Sequence, residues 1–196
     1  MAEMLTGGSG AAHAMPLGDR KFGGLAVVEE MAPRAMILVR GDLGDGSLAE
    51  AVRAATGARM PDRLGLSRGG DATVCWMSPD ELLLMHPIGE REGVVEWLSG
   101  ALGEVHRLVA DVSDMRALFR VSGPRARDTL SKLVPLDVSP ATFGEDAFRR
   151  TRLAQVAAAL WMEDEAFGVM VMRSHAEYAF GVLRAAAEHG EVDFHR

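Results

Sequence analysis

Trp76-Met77-Ser78-Pro79-Asp80-Glu81-Leu82-Leu83-Leu84-Met85 and Trp161-Met162-Glu163-Asp164-Glu165-Ala166-Phe167-Gly168-Val169-Met170 are two copies of one pattern. Each is an apolar stretch ending in Trp-Met, then an acidic turn, then a second apolar stretch. Short apolar runs bounded by turn residues read as strands, and two in succession as a hairpin. A segment with helical apolar spacing follows each copy, around Trp97-Leu98 after the first and Val182-Leu183 after the second. The repetition predicts an α+β fold of pseudo-symmetric hairpin-plus-helix units. Neither copy carries a catalytic constellation, which points to a chain that works as part of something larger.

Around the first copy, residues 72–77 and 82–86 are the strands, with Pro79 suited to the turn between them. The helix near 91–102 places Val94, Trp97, Leu98, Ala101 and Leu102 on one stripe, the spacing that buries a face, and Gly103 ends it. Upstream, Ser47-Leu48-Ala49-Glu50 reads as a capping box and Gly57 as the left-handed residue closing its helix. Residues 25–28 and 35–39 read as strands broken at Pro33, since proline cannot continue a central ladder. Gly41, Gly44 and Gly46 fit neither the dinucleotide fingerprint nor the phosphate loop and are read as a turn.

Between the copies, residues 105–121 read as two strands around Asp111-Val112-Ser113. Met115, Ala117, Phe119 and Val121 alternate against Arg116 and Arg120. Ser122-Gly123-Pro124 opens a helix with Ser122 as its cap, Ala126, Leu130 and Leu133 facing inward and Pro135 stopping it. A connection over 137–148 holds one buried-looking residue, Phe143. Residues 153–162 read as a long strand whose apolar part, 156–162, suits a central position covered on both faces. Its partner is 167–172. A second capping box, Ser174-His175-Ala176-Glu177, starts a helix that buries Ala179, Val182, Leu183 and Ala186 and ends at Gly190. The organisation expected is a mobile arm over 1–21, one domain with two internal repeats over 22–190, and a tail over 191–196.

A chain of 196 residues is long enough to bury a core without staples. The net charge of -7 argues against general nucleic-acid binding, which needs a basic face. Arg149, Arg150 and Arg152 cluster, as a solvated strand end or a local basic patch. The single cysteine, Cys75, excludes an internal disulfide and, inside an apolar strand, reads as a buried structural thiol. The first twenty residues lack a secretory pattern, and no apolar run approaches the roughly 20 residues that span a bilayer. A cytoplasmic, membrane-free protein is expected.

Chemistry is sparse. The six histidines are scattered without zinc spacing, and no metal site is expected. The nucleophile elbow is absent around Ser122, where Arg120 stands in place of the first glycine. Asp80/Glu81 and Glu163/Asp164/Glu165 lie in hairpin turns, where solvated carboxylates are ordinary. Asp111, beside Ser113 and near Asp114 and Arg116, could brace a backbone turn or hold a polar ligand. Arg116, Arg120 and Arg173 fit a solvated sheet face or a subunit interface, where arginine is enriched. No catalytic residue is assigned.

The run Asp111-Val112-Ser113 … Phe119-Arg120-Val121-Ser122-Gly123-Pro124 … Leu130 … Leu133-Val134-Pro135-Leu136-Asp137 resembles the aminomethyltransferase (T-protein) superfamily of the glycine-cleavage system. Within it the chain looks most like the gamma subunits of heterotetrameric sarcosine oxidase. Trp76-Met77-Ser78-Pro79-Asp80-Glu81-Leu82-Leu83, the segment 144–161 and Arg173-Ser174-His175-Ala176-Glu177-Tyr178 support that branch, and the likeness covers about residues 22–188. Ser78, Leu82 and His175 depart from the glycine, tryptophan and aromatic residue that the branch leads one to expect, and leave open the small subunit of a related N-methyl amino acid dehydrogenase. The resemblance implies an aminomethyltransferase folate-binding-domain-like fold. It implies a four-subunit flavoenzyme that oxidises sarcosine to glycine and hydrogen peroxide, with the one-carbon unit captured as 5,10-methylenetetrahydrofolate. It places FAD, FMN, NAD and tetrahydrofolate in the partner subunits and none in this chain. It gives the chain a scaffold's role against the alpha and beta subunits, with the delta subunit as a further partner. The rival reading is a stand-alone folate-binding module, for which Asp111 is the candidate contact.

Overall fold

Both hairpins form, and each leads through one 3-10 turn into a helix. The computed structural model describes residues 14–103 and 107–188. The elements are β1 (Lys21–Gly23), β2 (Val27–Glu30), β3 (Arg34–Arg40), α1 (Gly46–Thr56), β4 (Leu66–Gly69), β5 (Ala72–Ser78), β6 (Glu81–Pro87) and α2 (Arg91–Leu102), followed by β7 (Leu108–Asp111), β8 (Arg116–Ser122), α3 (Ala126–Ser131), β9 (Phe148–Leu153), β10 (Val156–Glu163), β11 (Ala166–Met172) and α4 (Ala176–Glu188). The 3-10 turns Ile88–Glu90 and Arg173–His175 lie the same interval apart along the chain as Trp76 and Trp161. The pseudo-symmetry thus runs from hairpin to helix without an insertion.

The strands form two sheets, β4-β5-β6-β3-β7 and β1-β2-β8-β11-β10-β9, and every named pairing is antiparallel. With β4 added at its edge, the five-stranded sheet follows the βαββαβ order of ferredoxin-like folds. The six-stranded sheet shows the same spatial arrangement with β2, which precedes β8 in the chain, in the place of the last strand. The repeat is completed by exchange. β2 precedes β3 in the chain but pairs with β8, with Val28 opposite Val121. β7 precedes β8 but pairs with β3, with Val39 opposite Val109. Each half therefore lends its leading strand to the other sheet. Neither sheet is complete without both halves, which ties their folding together.

Strand alternation then builds four layers. Ala35, Ile37 and Val39 of β3 pack with Leu48 and Val52 of α1 and Leu98 and Leu102 of α2. Met36 points the other way, into a layer with Cys75, Leu83 and Met85, and meets Leu118, Phe148, Ala159, Trp161 and Met170 of the six-stranded sheet. The far face of that sheet carries Phe119, Val121, Leu160 and Val169 against Leu130 of α3 and Phe180 and Leu183 of α4. The order is helices, sheet, sheet, helices. β10 is covered on both faces from Ala158 to Met162, as its apolar run predicts.

Several details differ from the sequence reading. α1 starts earlier than the expected capping box. Asp45 is its N-cap, with Oδ1 accepting from the amide and the hydroxyl of Ser47 at 2.8 Å each. Gly57 closes the helix at φ 69° as expected. The expected strand over 153–162 is two strands, β9 and β10, reversed at Ala154 (φ 50°), a residue with no turn signature. Ser122 ends β8 instead of capping α3, whose N-cap is Arg125. On α2, Leu98 and Leu102 are buried, but Trp97 is 44% exposed and Ala101 is exposed as well. Of the arm expected over 1–21, residues 14–21 are held in place. Glu30 accepts from the amides of Leu17 (2.9 Å) and Asp19 (3.0 Å), Arg173 donates to the Ala14 carbonyl (2.8 Å), and Lys21 begins β1. Residues 1–13, Gly190 and the tail over 191–196 lie outside the described residues.

Candidate functional site

Asp111 ends β7, where the chain turns toward β8. Its Oδ1 accepts from the amide (2.9 Å) and hydroxyl (2.6 Å) of Ser113, and Oδ2 pairs with Nε of Arg91 at the start of α2. The Ser113 hydroxyl oxygen in turn accepts from the buried amide of Met36, at 2.9 Å. Burial alone would raise the Asp111 carboxyl. The bonds from Ser113 and the Arg91 guanidinium outweigh it and hold the group below the usual carboxylate range. The aspartate thus ties together the exchanged strand, β3 and α2. Both its oxygens are engaged within the chain, the arrangement of a structural brace. The turn reading of Asp111 was available from the spacing to Ser113. Arg91, its second partner, was not named from the sequence, since only the tertiary fold brings it near.

The three named arginines do not come together. Arg120 faces Glu29, its cross-strand neighbour, at 3.8 Å and donates to the carbonyl of Asp164 at 3.2 Å. Arg173 holds the Ala14 carbonyl. Arg116 lies on β8 with its Nε buried and without a hydrogen-bond partner. Its guanidinium is lowered from its ordinary value by burial and then by Arg150, with Glu81 acting in the opposite sense. Arg150 escaped the sequence reading as a site residue. The signal was its place in β9 two residues after Phe148, which puts both on one face.

Cys75, His86 and Glu163 also sit inside the fold. Cys75 is fully buried, and burial pushes its thiol far up, away from the reactive thiolate. His86 is buried on β6 with Nδ1 3.2 Å from the Glu90 carboxylate. Glu163, in the second acidic turn, accepts from Nε1 of Trp161 (3.1 Å) and faces Arg34 of the other sheet at 3.4 Å. A groove of about 410 Å³ lies between Pro124, Phe143, Glu165 and Phe167. Its cation, Arg127, donates to the carbonyls of Val138 and Phe143 and stands 5.0 Å over the Phe167 ring. Among the described residues, no cluster of His, Cys, Asp and Glu is placed to hold a metal ion, and no helix is long and apolar enough to cross a membrane.

This arrangement, two sheets that exchange their leading strands, has known counterparts. The model of the sarcosine oxidase gamma subunit family matches residues 40–189. The sarcosine oxidase subunit gamma of Corynebacterium sp. (strain P-1) is 33% identical over 144 residues, 72% of this chain and 70% of that protein. The subunit gamma of an Arthrobacter sp. is 34% identical over the same shares. A chain in the solved structure of heterotetrameric sarcosine oxidase from Corynebacterium sp. U-96, in complex with pyrrole 2-carboxylate, aligns with TM-score 0.77 and 28% identity, over 93% of this chain and 95% of that one. The glycine cleavage system aminomethyltransferase T of Bartonella henselae aligns with TM-score 0.52 and 12% identity, over 79% of this chain and 44% of that one, a likeness of fold alone. The aminomethyltransferase-like α+β fold expected from the sequence is therefore found, and the chain belongs to the sarcosine oxidase gamma subunit family.

Proposed function

We propose that this chain is the small, non-catalytic subunit of a four-subunit sarcosine oxidase and acts there as a scaffold for the alpha, beta and delta subunits. The observation that carries the reading is family membership together with near full-length likeness to a chain of a heterotetrameric sarcosine oxidase. Chemistry agrees with it. Asp111, Cys75 and Glu163, the groups best suited to bind or react, are engaged or buried inside the fold. The complex as a whole oxidises the N-methyl group of sarcosine, giving glycine and hydrogen peroxide, and passes the one-carbon unit to tetrahydrofolate as 5,10-methylenetetrahydrofolate. FAD, FMN, NAD and folate sit in the larger subunits, and the complex works in the cytoplasm.

The test is co-expression of the tagged chain with the other three subunits of its own enzyme, followed by tag purification. The expected product is a yellow complex with flavin absorbance and sarcosine-dependent peroxide release. A colourless chain recovered alone, or a complex that turns over an N-methyl amino acid other than sarcosine in preference, overturns the reading.

A further inference from the structure

The two sheets have four edge strands, β1 and β9 in one and β4 and β7 in the other. Three of them are guarded against pairing with another chain. β9 carries Arg149, Arg150 and Arg152. β4 is tied to the chain beside it by the bridge from Gly65 to Ala147 and by the Leu66 amide, which donates to the Asp146 carbonyl at 2.9 Å. β1 carries Lys21, paired with Glu29 at 2.8 Å. β7 lacks such a guard. Its Leu108 is 48% exposed, and Asp111, the one charge in the strand, is directed at Ser113 and Arg91. Among the described residues, no strand pairs with the outer side of β7. The main-chain groups on that side follow from the ladder. The Val112 amide donates to the Met36 carbonyl at 2.8 Å, so the alternate residues Ala110 and Leu108 also bond toward β3. Val109 and Asp111 turn their N–H and C=O groups outward.

The internal pseudo-symmetry says what belongs there. Val28 of β2 and Val109 of β7 hold equivalent places, each on an exchanged strand and opposite a valine of the strand that receives it, Val121 or Val39. The outer side of β2 is occupied. β1 pairs with it antiparallel, with Phe22 opposite Val28. The Phe22 ring packs on the core of that half, and the Arg184 guanidinium of α4 stands 5.3 Å over it. The interval that relates Trp76 to Trp161 puts Ser99 of α2 in the place of Arg184, and Ser99 is exposed. Val109 borders the core of the first half and is half-buried. The first half therefore keeps the seat of a further strand, with room for one apolar side chain beside Val109, and has no β1 of its own to fill it.

We propose that the outer edge of β7 takes, in the assembled enzyme, an extended segment of an adjoining subunit as a sixth, antiparallel strand. The N–H and C=O groups of Val109 and Asp111 hold its main chain. One of its apolar side chains fills, beside Val109 and Leu108, the place that Phe22 has in the other half. The inference rests on the subunit reading above and adds to it the place and the form of contact. The occupant is another subunit because the chain with which this one aligns over nearly its full length belongs to a heterotetramer. Strand addition of this kind draws its affinity from main-chain bonds and its selectivity from alternate side chains.

The test uses the four-subunit complex purified through a tag on another subunit. Failure of the wild-type chain to co-purify sinks the subunit reading itself, a result distinct from failure of the added strand alone. With wild type retained, Val109→Pro removes one outward N–H and leaves the bonds to β3 in place. It is expected to release the chain on dilution at about tenfold higher protein concentration or more, the effect of one lost main-chain bond. Val109→Thr, which keeps the amide and the branched side chain, is expected to dissociate as wild type does. Equal retention of Val109→Pro and wild type overturns the proposal, as does equal weakening by the two variants. A structure of the wild-type complex decides the matter even if Val109→Pro fails to fold. A strand of another subunit bonded to the main chain of Val109 and Asp111 supports the proposal. Solvent, a second copy of this chain or another part of this chain along that edge overturns it.

Discussion

The indole of Trp161 occupies the space that a side chain at Gly168 would need. The two residues face each other across the β10–β11 ladder. A Cβ built on Gly168 overlaps the ring carbons of Trp161. Trp161 is 1% exposed and packs on Phe148 at 6.4 Å between ring centroids. The largest side chain of the inter-sheet layer is therefore seated on a residue without one.

Gly168→Ala is expected to destabilise the chain strongly. The ring cannot retreat, because the opposing sheet closes the layer with Leu83, Met85 and Cys75. Overpacking of this kind costs about 3 kcal/mol or more. Trp161→Phe in the same chain should recover part of the loss, since the smaller ring leaves room for the methyl group. Thermal melts of the two single variants and the double variant measure this. A Gly168→Ala melting point within about 2 °C of wild type would show that the layer yields.

Glu163 links the sheets. Its carboxylate accepts from Nε1 of Trp161 and faces Arg34, whose Nη2 also donates to the Asp71 carbonyl at 2.6 Å. Glu163→Gln keeps an acceptor for the indole and removes the charge. The expected loss is about 1 kcal/mol by urea unfolding, because the pair is partly solvated. Glu163→Leu also strands the indole N–H and is expected to lose more. Equal losses for the two variants would mean that the indole bond contributes nothing.

How much of this was legible differs from element to element. The hairpins announced themselves because their apolar runs and acidic turns are local. Orientation on β8 was legible too, since Arg116 and Arg120 alternate with Ala117, Phe119 and Val121, all three buried against α3 and α4. The strand exchange was not. A pattern marks residues 25–28 as extended but does not say that the strand there, β2, has β8, far along the chain, as its neighbour instead of β3. β1 and β4 are short and rich in polar residues and glycine, so periodicity had nothing to grip. Trp97 fits the buried stripe by spacing, yet α2 meets its sheet through Leu98 and Leu102 with Val94 and Val95 beside them, and the indole is left 44% exposed. The serine brace at Asp111 was readable two residues away. The Arg91 half was not, because it depends on where α2 lands.

Cys75 provides a chemical check on the same layer. Its thiol is fully buried between the sheets, and that burial holds it in the neutral form. The native chain is expected to resist a thiol reagent at pH 8, and to react stoichiometrically once unfolded in guanidinium chloride. Rapid modification of the folded chain would mean that the two sheets part on the timescale of the reaction.

Asp111 yields the pH prediction. Its carboxyl is held below the ordinary range in the folded chain, so the unfolded chain binds the proton more tightly. The stability it contributes is therefore fully present above the unfolded value, about pH 4, and is lost as the pH falls through the lower folded value. Asp111→Asn keeps an oxygen for Ser113 but loses the charge that holds Arg91. The variant should melt below wild type at pH 7, and the gap should close as the pH falls below the unfolded value, about 4, and through the lower folded one, where wild type takes up the proton. A gap independent of pH would place the effect in the turn bonds alone. The same variant, assembled into the complex, is expected to bind tetrahydrofolate as wild type does, because the carboxylate's two oxygens are already directed at Ser113 and Arg91. Loss of folate binding with an unchanged melting curve would make Asp111 a ligand contact and not a brace.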